Sequence, residues 1–372
     1  MKKVLIVGAG IGGCASAIAF SQLGYQVTVI EKLRTIFTEG AGICLYSNAL
    51  KSLDDLNVLV EVIASGAAMQ GLTEFLDDQS KLLGTVKYKT IDNKYPAYVG
   101  IDRQKFLDIL YQRAKQLGTE FYFNQEVTKI TQTENTVSII CKNSLEFLEY
   151  DLLIAADGTN SKIRKEFWTD AESVYSGFGL WHSMHPLHPE VKEKITVIMK
   201  DRRFGIIPIS KDQMYIWASI AEPTKVYIDR KLQPQVMYSQ FSELSGYLKD
   251  VVDQLGPDTY VHYTAVDEVT LDTDWHCGRI VLLGDSAHAS LPFMAQGGAM
   301  ALQDAVVLAR AVDSNNDLHQ ALTEYKILRK PVVDTIQQMC RNIGKTYTQS
   351  TVDLSKIENS LNNFYGNQEF FK

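Results

Sequence analysis

No stretch of these 372 residues sustains an apolar run long enough to cross a bilayer. Met1-Lys2-Lys3 leads straight into an apolar strand, without the pattern of a secretion signal, so the expectation is a cytoplasmic chain with no membrane span. Cysteine is scarce and scattered. Cys14, Cys44, Cys141, Cys277 and Cys340 are odd in number and lack paired metal spacing, which argues for reduced core residues, against a disulfide framework, and for no metal. A basic excess is missing as well: the formal charge of −7 argues against a nucleic-acid partner, whose phosphates require a positive surface. Neither a repeat nor a low-complexity tract stands out. What is present is a 45% apolar globular chain, long enough for two lobes and a sizeable core.

The stretch from Gly284 to Ala299 organises the reading. Arg279 to Leu283 is a short apolar run ending in Gly284-Asp285, which reads as a buried strand, and Ala299 to Val312 reads as a mostly buried helix whose only charges are Asp304 and Arg310. Between them a loop with Gly297-Gly298 would place backbone N–H groups at a helix N-terminus, a site for an anion or for a group that becomes anionic. The N-terminus adds a second loop of this kind. Val4-Leu5-Ile6-Val7 suggests a parallel strand buried on both faces, followed at once by Gly8-Ala9-Gly10-Ile11-Gly12-Gly13 and a helix of small residues through Leu23. A second strand, Gln26 to Ile30, ends in Glu31. This is the dinucleotide fingerprint in its proper setting: Gly8 for the tight turn, Gly10 for close approach to a pyrophosphate, Gly13 for helix packing and Glu31 for a ribose hydroxyl.

Further along, Glu39 to Leu50 reads as a glycine-punctuated loop, containing Gly42, that leads into a helix through about Leu59, with Asn48 either its cap or a ligand contact. Asp102 to Leu117 is an amphipathic helix, and Arg103 in its first turn gains nothing from the helix dipole, so either an outside anion holds it or it is solvated. Short runs from Phe121 to Leu148 suggest an antiparallel meander before a buried strand, Leu152 to Ala156, that closes on Asp157-Gly158. From about Tyr175 longer alternating strands follow. Ile195, Val197 and Met199 share one face; Met214, Ile216, Ala218 and Ile220 share another, which leaves Tyr215, Trp217 and Ser219 opposite, on a face that roofs a cavity or packs under a loop. A helix from about Leu318 to Leu328 and another from Pro331 to Tyr347 are expected, and the tail from Ser355 is either a docked helix or frayed.

With Gly8-x-Gly10-x-x-Gly13…Glu31, Ala155-Ala156-Asp157-Gly158-x-x-Ser161-x-x-Arg164 and Leu283-Gly284-Asp285-x-Ala287-His288-x-x-x-Pro292 in this order, the chain resembles the group A flavin-dependent monooxygenases, the family of para-hydroxybenzoate and salicylate hydroxylases. The resemblance runs from residue 1 to about 345. It implies an α/β (α+β) fold: a Rossmann-like FAD-binding domain from residues 1–72, 98–174 and 275–345, an inserted antiparallel-sheet substrate domain from 73–97 and 175–274, and C-terminal helices with a tail at 346–372. It implies non-covalent FAD, with NADH or NADPH as transient reductant, O2, and a small aromatic or polycyclic substrate hydroxylated through a flavin C4a-hydroperoxide. In that frame Glu31 meets the adenosine ribose, Arg103 the pyrophosphate and Asp285 the ribityl chain, and Lys32 is a further cofactor contact. Gly42 and Pro292 line the cofactor, and Asp157 and Gly158 lie near it and the nicotinamide route. Backbone N–H groups of Gln296, Gly297 and Gly298 then stabilise the negative edge of reduced flavin. His182, Tyr215, Trp217, Pro292, Phe293 and Met294 are the substrate-side candidates, and the chain is expected as a monomer or homodimer.

This sequence departs from the family pattern at three places: Ala295 stands where glycine is usual, Ser47 where proline is usual, and His182 follows Trp181 where arginine is frequent. The tryptophan pair of the flavin-dependent halogenases is not seen. A tetracycline-inactivating monooxygenase fits the same outline, as does a flavin-dependent reductase or dehydrogenase without oxygen insertion.

Overall fold

The computed structural model describes residues 2–168, 172–348 and 352–371. Its first layer is a six-stranded sheet whose centre is Lys3–Val7, flanked in parallel by Leu152–Ala155 and Gln26–Ile30. Ile280–Leu282 and Glu120–Tyr122 extend the parallel array outward, and His276–Cys277 closes one edge antiparallel. Helices cover the sheet, so Val4, Leu5 and Ile6 are buried throughout, as an unbroken apolar run requires. Helix Ile11–Gln22 packs between helices Gly297–Ser314 and Arg103–Gln116. Its small residues allow close packing: a Cβ on Gly12 would stand 3.4 Å from Ala301 Cβ on helix Gly297–Ser314, and one on Gly13 would stand 1.9 Å from the Gly8 carbonyl oxygen of the preceding turn.

A seven-stranded sheet forms the second layer, in the order Val261–Glu268, Val174–Pro186, Gln213–Ala221, Arg202–Pro208, Lys194–Met199, Leu72–Leu76, Leu82–Lys87. All neighbours are antiparallel except Lys194–Met199 with Leu72–Leu76. One face carries Ile195, Val197, Phe204, Met214 and Ile216 into a core of its own, shared with Met237, Phe241, Leu248 and Val251. Each such side chain contributes about 1.5–3 kcal/mol by leaving water. The even positions of Gln213–Ala221 are therefore spent on that core, and Tyr215 and Trp217 face the other way, toward the first layer.

Several local expectations are corrected. Gly42–Tyr46 is a strand, paired antiparallel with Tyr98–Asp102, and the helix after it is two pieces, Ser47–Asp55 and Leu59–Ser65. Ser47 donates its N–H to Ala97 O, which a proline there could not do. The meander comprises Val127–Gln132, Val137–Cys141 and Glu146–Tyr150, whereas Glu120–Tyr122 joins the parallel sheet. Leu318–Lys345 is one helix that runs through Pro331. Proline removes one hydrogen bond, from a turn whose Ile327 and Leu328 face solvent, while Val332, Val333 and Ile336 stay buried on the other side. The tail forms helix Leu354–Gly366 with Leu361, Phe364 and Tyr365 buried, so its described part is docked; residues 349–351 and 372 of that tail, like Met1, lie outside the described residues.

Candidate functional site

The glycine loop and the Gly-Asp loop meet at the strand ends of the parallel sheet. Gly8 sits at φ +107°, where a Cβ would come within 2.3 Å of Ala156 O, so the first turn is closed by tight packing. Gly10, the N-cap of helix Ile11–Gln22, is the opposite case: a Cβ there would meet nothing within 4 Å. That open space lies at a helix N-terminus whose first N–H groups have no partner inside the helix. Glu31 Oε2 accepts from Ala9 N–H at 2.8 Å and Oε1 from Leu33 N–H at 2.8 Å, which fixes the carboxylate beside the loop with lone pairs to spare. Lys32, next in the chain, is exposed.

At the other loop Gly284 is the N-cap of the one-turn helix Asp285–His288. Asp285 is exposed, whereas Ser286 is buried and bonds Ala155 O and Leu283 O. Arg164, fully buried, donates to Ser286 O at 2.8 Å and to Thr159 O at 2.6 Å, tying this loop to the one after Asp157. Asp157 Oδ2 accepts from Lys162 N–H at 3.0 Å; among the described residues its buried Oδ1 has no partner, and a Cβ on Gly158 beside it would meet nothing within 4 Å. Behind the loop, Asp304 gathers Gly284 N–H at 3.0 Å, His288 Nε2 at 2.6 Å and Arg329 Nε at 2.7 Å. Burial alone would raise the Asp304 carboxyl, but His288 and Arg329 outweigh it and hold it down at about 2.

Between the loops and the seven-stranded sheet lies a cavity of about 230 Å³. His182, Tyr215, Trp217 and Ser219 form its sheet wall, and Pro292, Phe293, Ala295, Gly297 and Gly298 the wall opposite. Gly42 lies against Tyr215 so closely that a Cβ would be 2.2 Å from the ring. Arg103 and Asp285 bring opposite charges to it. Arg103 Nε is buried without a hydrogen-bond partner among the described residues, and burial draws the guanidinium down while Asp285 and Tyr215 pull it up; it remains a cation. A second recess of about 300 Å³ shares Arg103, His182, Asp285 and Pro292 and adds Asn160 and His262. Burial first, then Arg103 and His262, push His182 down to about 3, so its imidazole is neutral, and Nδ1 has no partner among the described residues. It stands in the partition between the two spaces, not at a rim.

The N-terminus of helix Gly297–Ser314 is held from behind. Asn48, neither a cap nor at the cavity wall, donates Nδ2–H to Gln296 Oε1 at 2.7 Å, and Gln296 Nε2 donates to the Tyr365 hydroxyl at 3.0 Å. The Gln296 side chain is thus turned away from the cavity, and Gly297 and Gly298 line it through their backbone. A Cβ on Gly297 would lie 3.9 Å from Asp285 Oδ1, so the two loops touch. Ala295 just before them adopts φ +52°, ψ +38°, the left-handed conformation that explains a family preference for glycine.

Of the substrate-side candidates, Met294 is corrected: it is buried and lines a separate annex of about 90 Å³, not the main cavity. Phe293 and Trp217 line both. Lys194, which also lines both, went unnoticed in the sequence. Its signal was there, since Ile195, Val197 and Met199 on one face put Lys194 on the other.

The residues present fit a dinucleotide: a glycine cradle at a helix N-terminus with open space at Gly10, a carboxylate beside it, and a guanidinium N–H without a partner among the described residues on the cavity that Gly297 and Gly298 also line. A family profile described as FAD binding domain matches residues 1–339. The protein named putative FAD-dependent monooxygenase YetM, of Bacillus subtilis (strain 168), is 30% identical over 350 residues, covering 92% of this chain and 93% of that protein. The aurachin C monooxygenase/isomerase of Stigmatella aurantiaca is 28% identical over 88% of this chain and 84% of its own length. Among solved structures, that of Klebsiella pneumoniae HpxO complexed with FAD and uric acid superposes with a TM-score of 0.86, at 20% identity, over 100% of this chain and 96% of that one.

Proposed function

Since this chain belongs to the FAD-binding family of group A flavoprotein monooxygenases, we propose that it hydroxylates an aromatic or polycyclic small molecule in the cavity between Tyr215 and the Gly297–Gly298 loop, with NADH or NADPH as reductant. When bound, FAD supplies the redox chemistry that activates O2. Residues 1–72, 98–174 and 275–345 act as its binding domain, and 73–97 with 175–274 as the substrate domain. Gly10 leaves room for the diphosphate, Glu31 with Lys32 faces the adenosine end, Arg103 offers its unpartnered Nε–H to phosphate oxygen, and Asp285 accepts a ribityl hydroxyl. Gly42 and Pro292 flank the ring system, and the N–H groups at the start of helix Gly297–Ser314, with the Gln296 backbone, stabilise negative charge on its edge. Asp157 and Gly158 border the reductant's approach.

The protein's part in the oxygen transfer is to hold a flat ring dry and close. Tyr215 and Trp217 supply one wall, Pro292 and Phe293 the other, and neutral His182 gives a hydrogen bond without adding charge. One observation carries the reading: the aromatic sheet face and the glycine loop enclose a single cavity with Arg103 and Asp285 on it. The test is a panel of phenols, purines, indoles, quinolones and tetracyclines added to the yellow holoenzyme. A substrate should accelerate NAD(P)H oxidation with one O2 consumed and one oxygen found in the product per turnover. NAD(P)H-dependent reduction of a compound with no oxygen incorporated would instead make the protein a reductase.

A further inference from the structure

Strand Lys194–Met199 spends Ile195, Val197 and Met199 on the second core, so Lys194 projects from the cavity face. There it lies between the main cavity and the annex and lines both, together with Trp217 and Phe293. Its Nζ donates to the Tyr46 hydroxyl at 2.7 Å and lies 5.4 Å and 5.8 Å from the Tyr46 and Tyr88 ring centroids. Among the described residues it makes no ion pair. Its neighbours do not neutralise it: burial pushes the Tyr46 phenol well above its ordinary value and the Cys44 thiol up to about 11, so both keep their protons. An ammonium has three donors and one is in use. Arg203, the other cation on the annex, has already committed its guanidinium to Met199 O, Arg202 O and Thr346 O and to the face of Tyr347. Asp285, the carboxylate of the main cavity, does not reach the annex lining.

We propose that Lys194 anchors an anionic oxygen carried by the aromatic substrate, and so selects acidic ring compounds and sets which ring edge faces the glycine loop. The inference rests on the reading of the cavity as the substrate's seat. An oxyanion at the Lys194 end of the main cavity gains a charge-assisted hydrogen bond from Lys194 while Asp285 disfavours the reverse orientation. The same contact favours the ionised form of a ring hydroxyl, which makes the ring more electron-rich.

The test uses FAD-loaded protein and four probes, titrated by the change in the bound flavin's visible spectrum: 2-naphthoate against 2-naphthamide, and 2-naphthol against its methyl ether. The ionisable member of at least one pair should bind ten-fold or more tightly, with that preference lost in Lys194→Met and largely kept in Lys194→Arg. Preference for naphthoate identifies a carboxylate substrate, and preference for naphthol alone identifies a ring hydroxyl that ionises at the site. Equal affinity within both pairs, a preference that survives Lys194→Met, or no binding by any probe at millimolar concentration overturns the assignment. If those results come from protein that holds FAD and is reduced by NAD(P)H, only the role of Lys194 falls. Protein that binds no flavin removes the reading beneath it.

Discussion

Asn48 Nδ2 donates to Gln296 Oε1 over 2.7 Å, joining residues 248 positions apart in the buried interior. The bond fixes the start of helix Gly297–Ser314 from the side away from the cavity, and the Tyr365 hydroxyl completes it. Because side chains do the holding, the Gly297 and Gly298 backbone is left to the cavity. Electrostatic stabilisation by N–H groups is effective only when they are oriented before charge develops.

Gly10→Val should keep the fold and lose FAD. A side chain at Gly10 enters empty space, so thermal unfolding of the flavin-free variant should match that of flavin-free parent. Gly13→Val is the contrast: it collides with the Gly8 carbonyl and should unfold the protein. Full flavin occupancy in Gly10→Val would remove the diphosphate from this loop.

Asp285→Ala should weaken FAD retention by about 1–3 kcal/mol, since it leaves a ligand hydroxyl without its acceptor. Asp285 is exposed and caps nothing else, so the change in stability should be small. An unchanged FAD dissociation constant, read from flavin fluorescence, would end this role.

Trp217→Ala should bind FAD normally yet raise KM or divert NAD(P)H oxidation into hydrogen peroxide. The ring lines both cavities, and Gly205 leaves it room: a Cβ on Gly205 would be 2.1 Å from it. Coupled turnover at the parental KM would show that the ring only packs.

Asp304→Asn should cost about 3–5 kcal/mol, because it strands the buried Arg329 guanidinium. The folded carboxyl is held near 2 against an ordinary 3.8. Its contribution is therefore fully present above pH 4 and lost as pH falls through about 2, a swing of about 2 kcal/mol. Urea unfolding across that range should fall more steeply for the parent than for the variant. Parallel curves would contradict the coupling.

Ala295→Gly should stabilise by about 1 kcal/mol, by removing a left-handed conformation that an L side chain resists. Chemical unfolding midpoints decide it, and an unchanged or lower midpoint would show that the Cβ makes compensating contacts.

How much of this was readable in the sequence depends on the range over which each constraint acts. The Gly8, Gly10, Gly13 and Glu31 pattern is local, because one turn and one strand define it. Tyr215 and Trp217 were legible as a face because strand alternation is a two-residue rule. Lys194 obeyed the same rule and was passed over because its strand was read for its apolar side. Asn48, Gln296 and Tyr365 meet only through tertiary packing, and no spacing announces them. Pro331 misled for a physical reason: a lost backbone bond looks decisive locally, yet the buried side chains around it outweigh it. Met294 follows Phe293 in a 3-10 turn, where neighbouring side chains diverge, so Phe293 reaches the main cavity as well as the annex and Met294 only the annex.

The central strand of the parallel sheet also sets a clock. Lys3 N–H finds its partner, Asp151 Oδ2, 148 positions further along, and Leu153 in turn pairs with Ile280. At ordinary rates of synthesis, the first strand, with Gln26–Ile30 already made on one side, emerges on the order of ten seconds before its other neighbour, Leu152–Ala155, exists. During that interval one side of Val4, Leu5 and Ile6 is an open, fully apolar edge, the kind of segment that joins other chains. Expression yield should therefore respond more to chaperone supply and slower growth than to any stabilising change at the site.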